Sequence, residues 1–263
     1  MTGTSDHKAG HPPYGGATRA VRHAVFDLDG TLHPDVLGIL LLRDLHAAGI
    51  CAREPAERLF AFLRAFDHEQ LHEPDRVGTA YRLHAQALRG CDARQVRDRA
   101  RLLWERERHR VFAYAAPLLE ELRARGTTLV LISGSPHEIV EQVARSLGFH
   151  RWRGAVLASR NGHYTGTYLH TPAMTDEKLA LATELIGGEG NLAHCAAVGN
   201  SSTDIELLAG VGHPVAFEAG PRLAAAARRH GWPLADRHTL TATTLGTASV
   251  PTPCRHDEGA CTA

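Results

Sequence analysis

The stretch His23-Ala-Val-Phe-Asp-Leu-Asp-Gly-Thr-Leu32 decides how this chain is read. Its apolar part, His23 to Leu28, predicts a short buried strand. Asp27 and Asp29 stand at the C-terminal end of that strand, and Gly30 lets the chain turn away tightly. Two positions apart on a strand, the two carboxylates point the same way. Neighbouring carboxylates repel unless a cation lies between them, and Mg²⁺ suits hard oxygen ligands of this kind. One carboxylate can then act as a nucleophile while the other handles a proton. An Asp-Gly turn is the alternative for the segment taken alone.

Similar short apolar runs recur at Thr128 to Ile132, Ala155 to Ala158, Cys195 to Val198 and Pro214 to Phe217. Amphipathic helical patterns separate them: Ala116 to Arg125, Pro136 to Leu147, Asp176 to Ile186, Thr203 to Ala209 and Pro221 to His230. Strands alternating with helices predict an α/β fold, a doubly wound, mostly parallel sheet with helices on both faces. Asn161 to Tyr168, NGHYTGTY, carries the residues of a hairpin. Residues 35–114 break the rhythm. They hold no strand candidate and four helical patterns: Val36 to Ala48, Pro55 to Phe66, Val77 to Leu88 and Ala93 to Val111. The expected organisation is a core of residues 21–34 plus 115–238, a helical cap over 35–114, a disordered tail over 1–20 and a flexible tail over 239–263.

Three more segments join the first at strand ends, where ligands of open α/β sheets bind. Ile132-Ser133-Gly134-Ser135-Pro136 opens a helix, offering a hydroxyl and N–H groups to an anion, or simply an N-cap by Ser135. Lys178, one of only two lysines, lies on the helix expected to begin near Asp176; it either offsets phosphate charge or sits in solvent. Val198-Gly199-Asn200-Ser201-Ser202-Thr203-Asp204 places Asn200 and Asp204 across a strand-to-helix loop, where their oxygens suit a Mg²⁺ shell; the alternative is a plain helix cap by Ser202 or Thr203. The four segments are ordered so that they could converge on one crevice.

This ordered set resembles the haloacid-dehalogenase-like phosphatase superfamily, in its phosphoserine-phosphatase-like branch. FDLDGTL looks like the first motif, LISGSP the second, Lys178 the third and GNSSTDIELL the fourth. The resemblance covers roughly residues 22–235, with the cap similar only in size and helical character. It implies a Mg²⁺-dependent phosphatase. Asp27 would be the nucleophile and a metal ligand. Asp29 would be the general acid and base, with its carbonyl on the metal. Ser133, Gly134 and Lys178 would hold the phosphoryl group, and Asn200 and Asp204 would serve the metal. The cap would close over the substrate and exclude water. Asn200 departs from the family's usual aspartate, which implies weaker metal binding. Within the superfamily an acid at position 29 fits phosphate esters rather than carbon–halogen bonds, and a cap without lysine does not fit phosphonates. The expected partner is a small phosphorylated metabolite.

Two rival readings stay open. His68-Glu69-Gln70-Leu71-His72 matches the H-E-x-x-H pattern of a zinc peptidase. A phosphate-binding protein with weakened catalysis is the other, on the strength of Asn200. Net charge near zero favours neither nucleic acid nor an anionic membrane as partner. The longest apolar run, Leu37 to Leu42, is too short to span a bilayer. Five scattered cysteines make no disulfide framework, and no apolar leader precedes residue 20, so a cytoplasmic location is expected. Cys254, His256 and Cys261 could form a metal site, but a loose tail is the expectation there.

Overall fold

The computed structural model describes residues 20–174 and 177–246. Its centre is a seven-stranded sheet: β1 (His23–Phe26), β2 (Thr128–Pro136), β3 (Arg151–Arg160), β4 (His163–His170), β5 (Cys195–Gly199), β6 (His213–Phe217) and β7 (Leu234–Ala235). The strand order is β4-β3-β2-β1-β5-β6-β7. All pairings are parallel except the β3–β4 hairpin. β1 lies between β2 and β5, so chain direction across the sheet reverses beside it. That reversal leaves a crevice beyond the C-terminal ends of these strands.

β1 is buried on both faces and splits its side chains between two cores, as period-2 alternation requires. Ala24 and Phe26 join the larger apolar cluster, and Val25 joins the smaller one with Val130, Ile132, Leu181, Leu207 and Leu223. The smaller cluster is closed by α8 (Glu177–Ile186), α9 (Ile205–Gly210) and α10 (Pro221–His230). The larger one takes in α6 (Ala115–Ala124) and α7 (His137–Leu147). It also takes in the helices between β1 and α6: α1 (Leu37–Ala47), α2 (Arg53–Arg64), α4 (Pro74–Leu88) and α5 (Ala93–Glu107), with the four-residue α3 (His68–Leu71) between α2 and α4. Leu59, Leu88 and Trp104 of these helices therefore share one core with Phe26.

The elements differ from the sequence expectations at several ends. β2 continues through Ser133–Pro136 instead of stopping at Ile132, and α7 starts at His137 without a side-chain cap. β3 runs over ten residues because it pairs with β2 at one end and β4 at the other. The two-residue β7 and α11 (Leu240–Thr244) were not foreseen. α11 falls within the expected C-terminal tail; Leu240 is fully buried in the larger core and anchors it. The expected N-terminal tail up to residue 19, Asp176, and Cys254, His256 and Cys261 lie outside the described residues. No helix among the described residues is long and apolar enough to cross a membrane.

Candidate active site

The parallel register sets the level of each site segment. Phe26 pairs with Leu131 on one side and Val198 on the other, and the Asp27 N–H donates to the Val198 carbonyl at 3.0 Å. Asp27 thus leaves β1 and the Asn200–Asp204 loop leaves β5 beside the Ser133–Ser135 stretch of β2. Lys178 reaches the same place from α8. Its ammonium donates to Asp27 Oδ1 at 2.7 Å and to Asp204 Oδ1. All three groups are withdrawn from water: Asp27 is 6% exposed, Lys178 3% and Asp204 0%.

Burial pushes the Asp27 carboxyl up to about 7, in spite of the Lys178 charge beside it. Burial alone would lower Lys178, but Asp204 and Asp27 outweigh it and hold the ammonium above the ordinary lysine value. The Thr31 hydroxyl also donates to Asp27, at 3.2 Å. Asp204 Oδ2 accepts from the N–H groups of Asn200 and Ser201, both at 3.0 Å. Asp204 therefore shapes its own loop and anchors the lysine.

Asp29 occupies a separate nest. Its Oδ2 accepts from the hydroxyls of Ser133 at 2.8 Å and Ser135 at 2.7 Å, and its Oδ1 from the Leu37 N–H at 2.8 Å. Burial raises its pKa, and these bonds oppose the rise. The Ser133 hydroxyl, expected at the phosphoryl group, is engaged by Asp29. Ser135, read as a possible N-cap, does not cap α7; besides binding Asp29, its oxygen accepts from the Gly38 N–H at 2.8 Å. Gly134 sits where a Cβ would meet Ala173 and the Tyr81 hydroxyl, at 2.8 and 2.9 Å, so the chain passes too close for a side chain.

The fit to Mg²⁺ rests on Asn200. Its side-chain oxygen is buried without a hydrogen-bond partner, a costly condition that a cation would relieve. Its side chain packs against Gly30, in the space a Cβ would need, and Gly30 holds a φ of +81°. No group of three His, Cys, Asp or Glu side chains suited to a metal is found among the described residues. An acid, an amide and a backbone carbonyl nevertheless supply hard oxygens of the kind Mg²⁺ takes.

A cavity of about 410 Å³ opens onto Asp27, Asp29, Gly134, Ser135 and Lys178. Its far wall comes from α1, α2 and α4. Tyr81 and Tyr168 pack edge to face with centroids 5.0 Å apart, and the Tyr81 hydroxyl donates to the Gly134 carbonyl at 3.0 Å. Thr31, Tyr81 and Tyr168 carry no site role from sequence, and Ser135 only that of a possible N-cap; the one signal for Thr31 and Ser135 is that they lie within the FDLDGTL and LISGSP segments. The H-E-x-x-H segment does not present a zinc site in what is described. Glu69 turns to α10, where its carboxylate accepts from the Arg222 N–H at 3.2 Å, and the His68 side chain lies outside the described residues.

Comparison with known proteins agrees with the fold. The family described as haloacid dehalogenase-like hydrolase matches residues 24–209. An "inhibition of morphological differentiation protein" of Streptomyces azureus is 30% identical, over 82% of this chain and 78% of the relative. A probable phosphatase of Mycobacterium tuberculosis is 31% identical, over 84% of this chain and 77% of the relative. A solved phospho-aspartyl intermediate analogue of phosphoserine phosphatase superposes with a TM-score of 0.61, at 19% identity, over 84% of this chain and 98% of the other.

Proposed function

The chain belongs to the haloacid dehalogenase-like hydrolase family and is a phosphatase, and we propose that it hydrolyses a small phosphate monoester through an aspartyl-phosphate on Asp27, with Mg²⁺ bound. The observation that carries this reading is the buried Asp27–Lys178–Asp204 triad at the strand ends, with Asp29 two residues on in its own hydrogen-bonded nest.

An Asp27 carboxylate oxygen attacks phosphorus as the bond to the leaving oxygen breaks. Asp29, whose pKa is raised by burial, gives its proton to that oxygen, so a neutral alcohol departs. The same carboxylate then takes a proton from water as the water attacks phosphorus, freeing phosphate and restoring Asp27. The Ser133 and Ser135 hydroxyls and the Leu37 N–H hold Asp29 at one angle through both half-reactions. Lys178 and the Gly134 N–H balance the charge of the transferring group. Mg²⁺, when bound, would offset the charge between carboxylate and phosphoryl oxygens. Asp27, the Asp29 carbonyl and Asn200 would hold it, with Asp204 serving from behind by fixing Lys178 and the Asn200 loop. Helices α1–α5 act as the cap that excludes water from the reaction.

Phosphate release from an aryl phosphate, measured with Mg²⁺ and with a chelator, tests this. Turnover should need the metal and vanish in Asp27→Asn. Undiminished turnover in Asp27→Asn would exclude the mechanism, and absence of turnover in the native chain with Mg²⁺ would favour a binding role.

A further inference from the structure

The cavity wall facing the reacting groups carries information on the leaving alcohol that the motifs do not. Ile39, Leu59, Leu63, Leu71, Val77 and Ala80 line it, and Tyr81 and Tyr168 add aromatic surface. Among the described residues Lys178 is its one Lys or Arg side chain, and Asp27 and Asp204 already hold that ammonium. Arg43, Arg76, Arg82 and Arg89 of the helical segment do not line it. Arg43 lies over Phe60, and Arg76 pairs with Glu73 and lies over Phe66. Arg82 donates to Thr79, and Arg89 packs against Gly166. Among the described residues, the lining acid beyond Asp27 and Asp29 is Asp35, which Arg110 neutralises at 2.6 Å. Two histidines, His72 and His84, also reach the cavity. Burial pushes His84 down to about 4, so it adds no charge at neutral pH.

Such a wall is poorly matched to phosphoserine. The serine part carries an ammonium and a carboxylate, and burying either beside apolar groups without a partner is strongly unfavourable. An uncharged alcohol meets no such penalty and gains by leaving water. Resting on the phosphatase reading above, we propose that the ester cleaved here carries an uncharged, largely apolar alcohol, seated against Ile39, Leu63 and Val77. A cavity of 410 Å³ is at the smaller end of small-molecule sites, which suits an alcohol of roughly ten carbons beside the phosphoryl group.

The test is phosphate release by the full chain with Mg²⁺ on three primary-alcohol esters: 3-phenylpropyl phosphate, O-phospho-L-serine and ethyl phosphate. The expected result is kcat/KM for 3-phenylpropyl phosphate above that for phosphoserine by about a hundredfold or more. Phosphoserine turned over as well or better would overturn the apolar-alcohol proposal while leaving the phosphatase reading intact. Failure on all three esters would overturn both. Leu63→Asp, placing a charge in the wall, should lower the ratio of kcat/KM for 3-phenylpropyl over ethyl phosphate by about tenfold. An unchanged ratio in a variant with a native circular-dichroism spectrum would place the alcohol elsewhere and overturn the proposal. The native-chain comparison decides if the variant does not fold.

Discussion

Replacing Lys178 with Met removes the one ammonium shared by two buried carboxylates, Asp27 and Asp204. Met keeps the length of the stem, so packing changes little and charge changes most. Breaking a buried ion pair on one side costs roughly 3–5 kcal/mol. Protonation caps the loss, since the orphaned pair can take up one proton instead. Against an ordinary aspartate value of 3.8, holding that proton costs about 5 kcal/mol at pH 7.5 and less than about 2 kcal/mol at pH 5, at about 1.36 kcal/mol per pH unit. For a chain of this size, 3–5 kcal/mol corresponds to a melting point lowered by roughly 6–20 °C. The assay is urea unfolding of metal-free native chain and Lys178→Met at both pH values, repeated with excess Mg²⁺. The variant should lose most at pH 7.5, less at pH 5, and recover part of the loss with Mg²⁺. A loss below about 1 kcal/mol at pH 7.5, or one that does not shrink on acidification, would refute the idea that Lys178 neutralises this pair.

Asn200→Asp should tighten Mg²⁺ binding on the order of tenfold by restoring a negative charge, while making the metal-free chain less stable; titration calorimetry showing no gain would remove Asn200 from the metal shell. The depressed pKa of His84 makes folding oppose its protonation. Its stability contribution is therefore complete above pH 6.5 and is lost as the pH falls toward 4. His84→Gln should lose about 2–3 kcal/mol less than the native chain between pH 7 and 4.5, read from denaturant midpoints; equal acid sensitivity would contradict the burial argument. Glu69→Ala removes the carboxylate that α3 offers to the N-terminus of α10. It should cost about 0.5–1 kcal/mol and speed amide exchange across residues 68–73, whereas unchanged exchange would show that this contact does not hold α3 down.

The sheet and its chemistry-bearing ends were legible because they depend on local pattern. A buried strand needs consecutive apolar residues such as Ala24–Phe26, and the reversal beside it brings polar strand ends together whatever the helices do. Side-chain partners were less legible. Ser135 before Pro136 looks like a helix cap from its neighbours, yet its hydroxyl binds Asp29, which lies far away in sequence. Ser133 was expected at the phosphoryl group and likewise binds Asp29. Asp204 reads as a loop acid, and only the fold shows Lys178 meeting it. The cavity wall was hidden for a different reason: helical spacing gives Leu59 and Leu63 the same signature whether they face a core or a ligand space. β7 is two residues long and carries no periodicity at all.

Acid-quenching the chain during turnover, trapping with hydroxylamine and mapping the modified peptide by mass spectrometry asks directly whether phosphate passes through Asp27. A phosphoryl group on the peptide containing Asp27, converted by hydroxylamine to a hydroxamate at that residue and absent from Asp27→Asn, is the expected result. Rapid phosphate release with no adduct on Asp27 at any quench time, or an adduct on another residue, would contradict it.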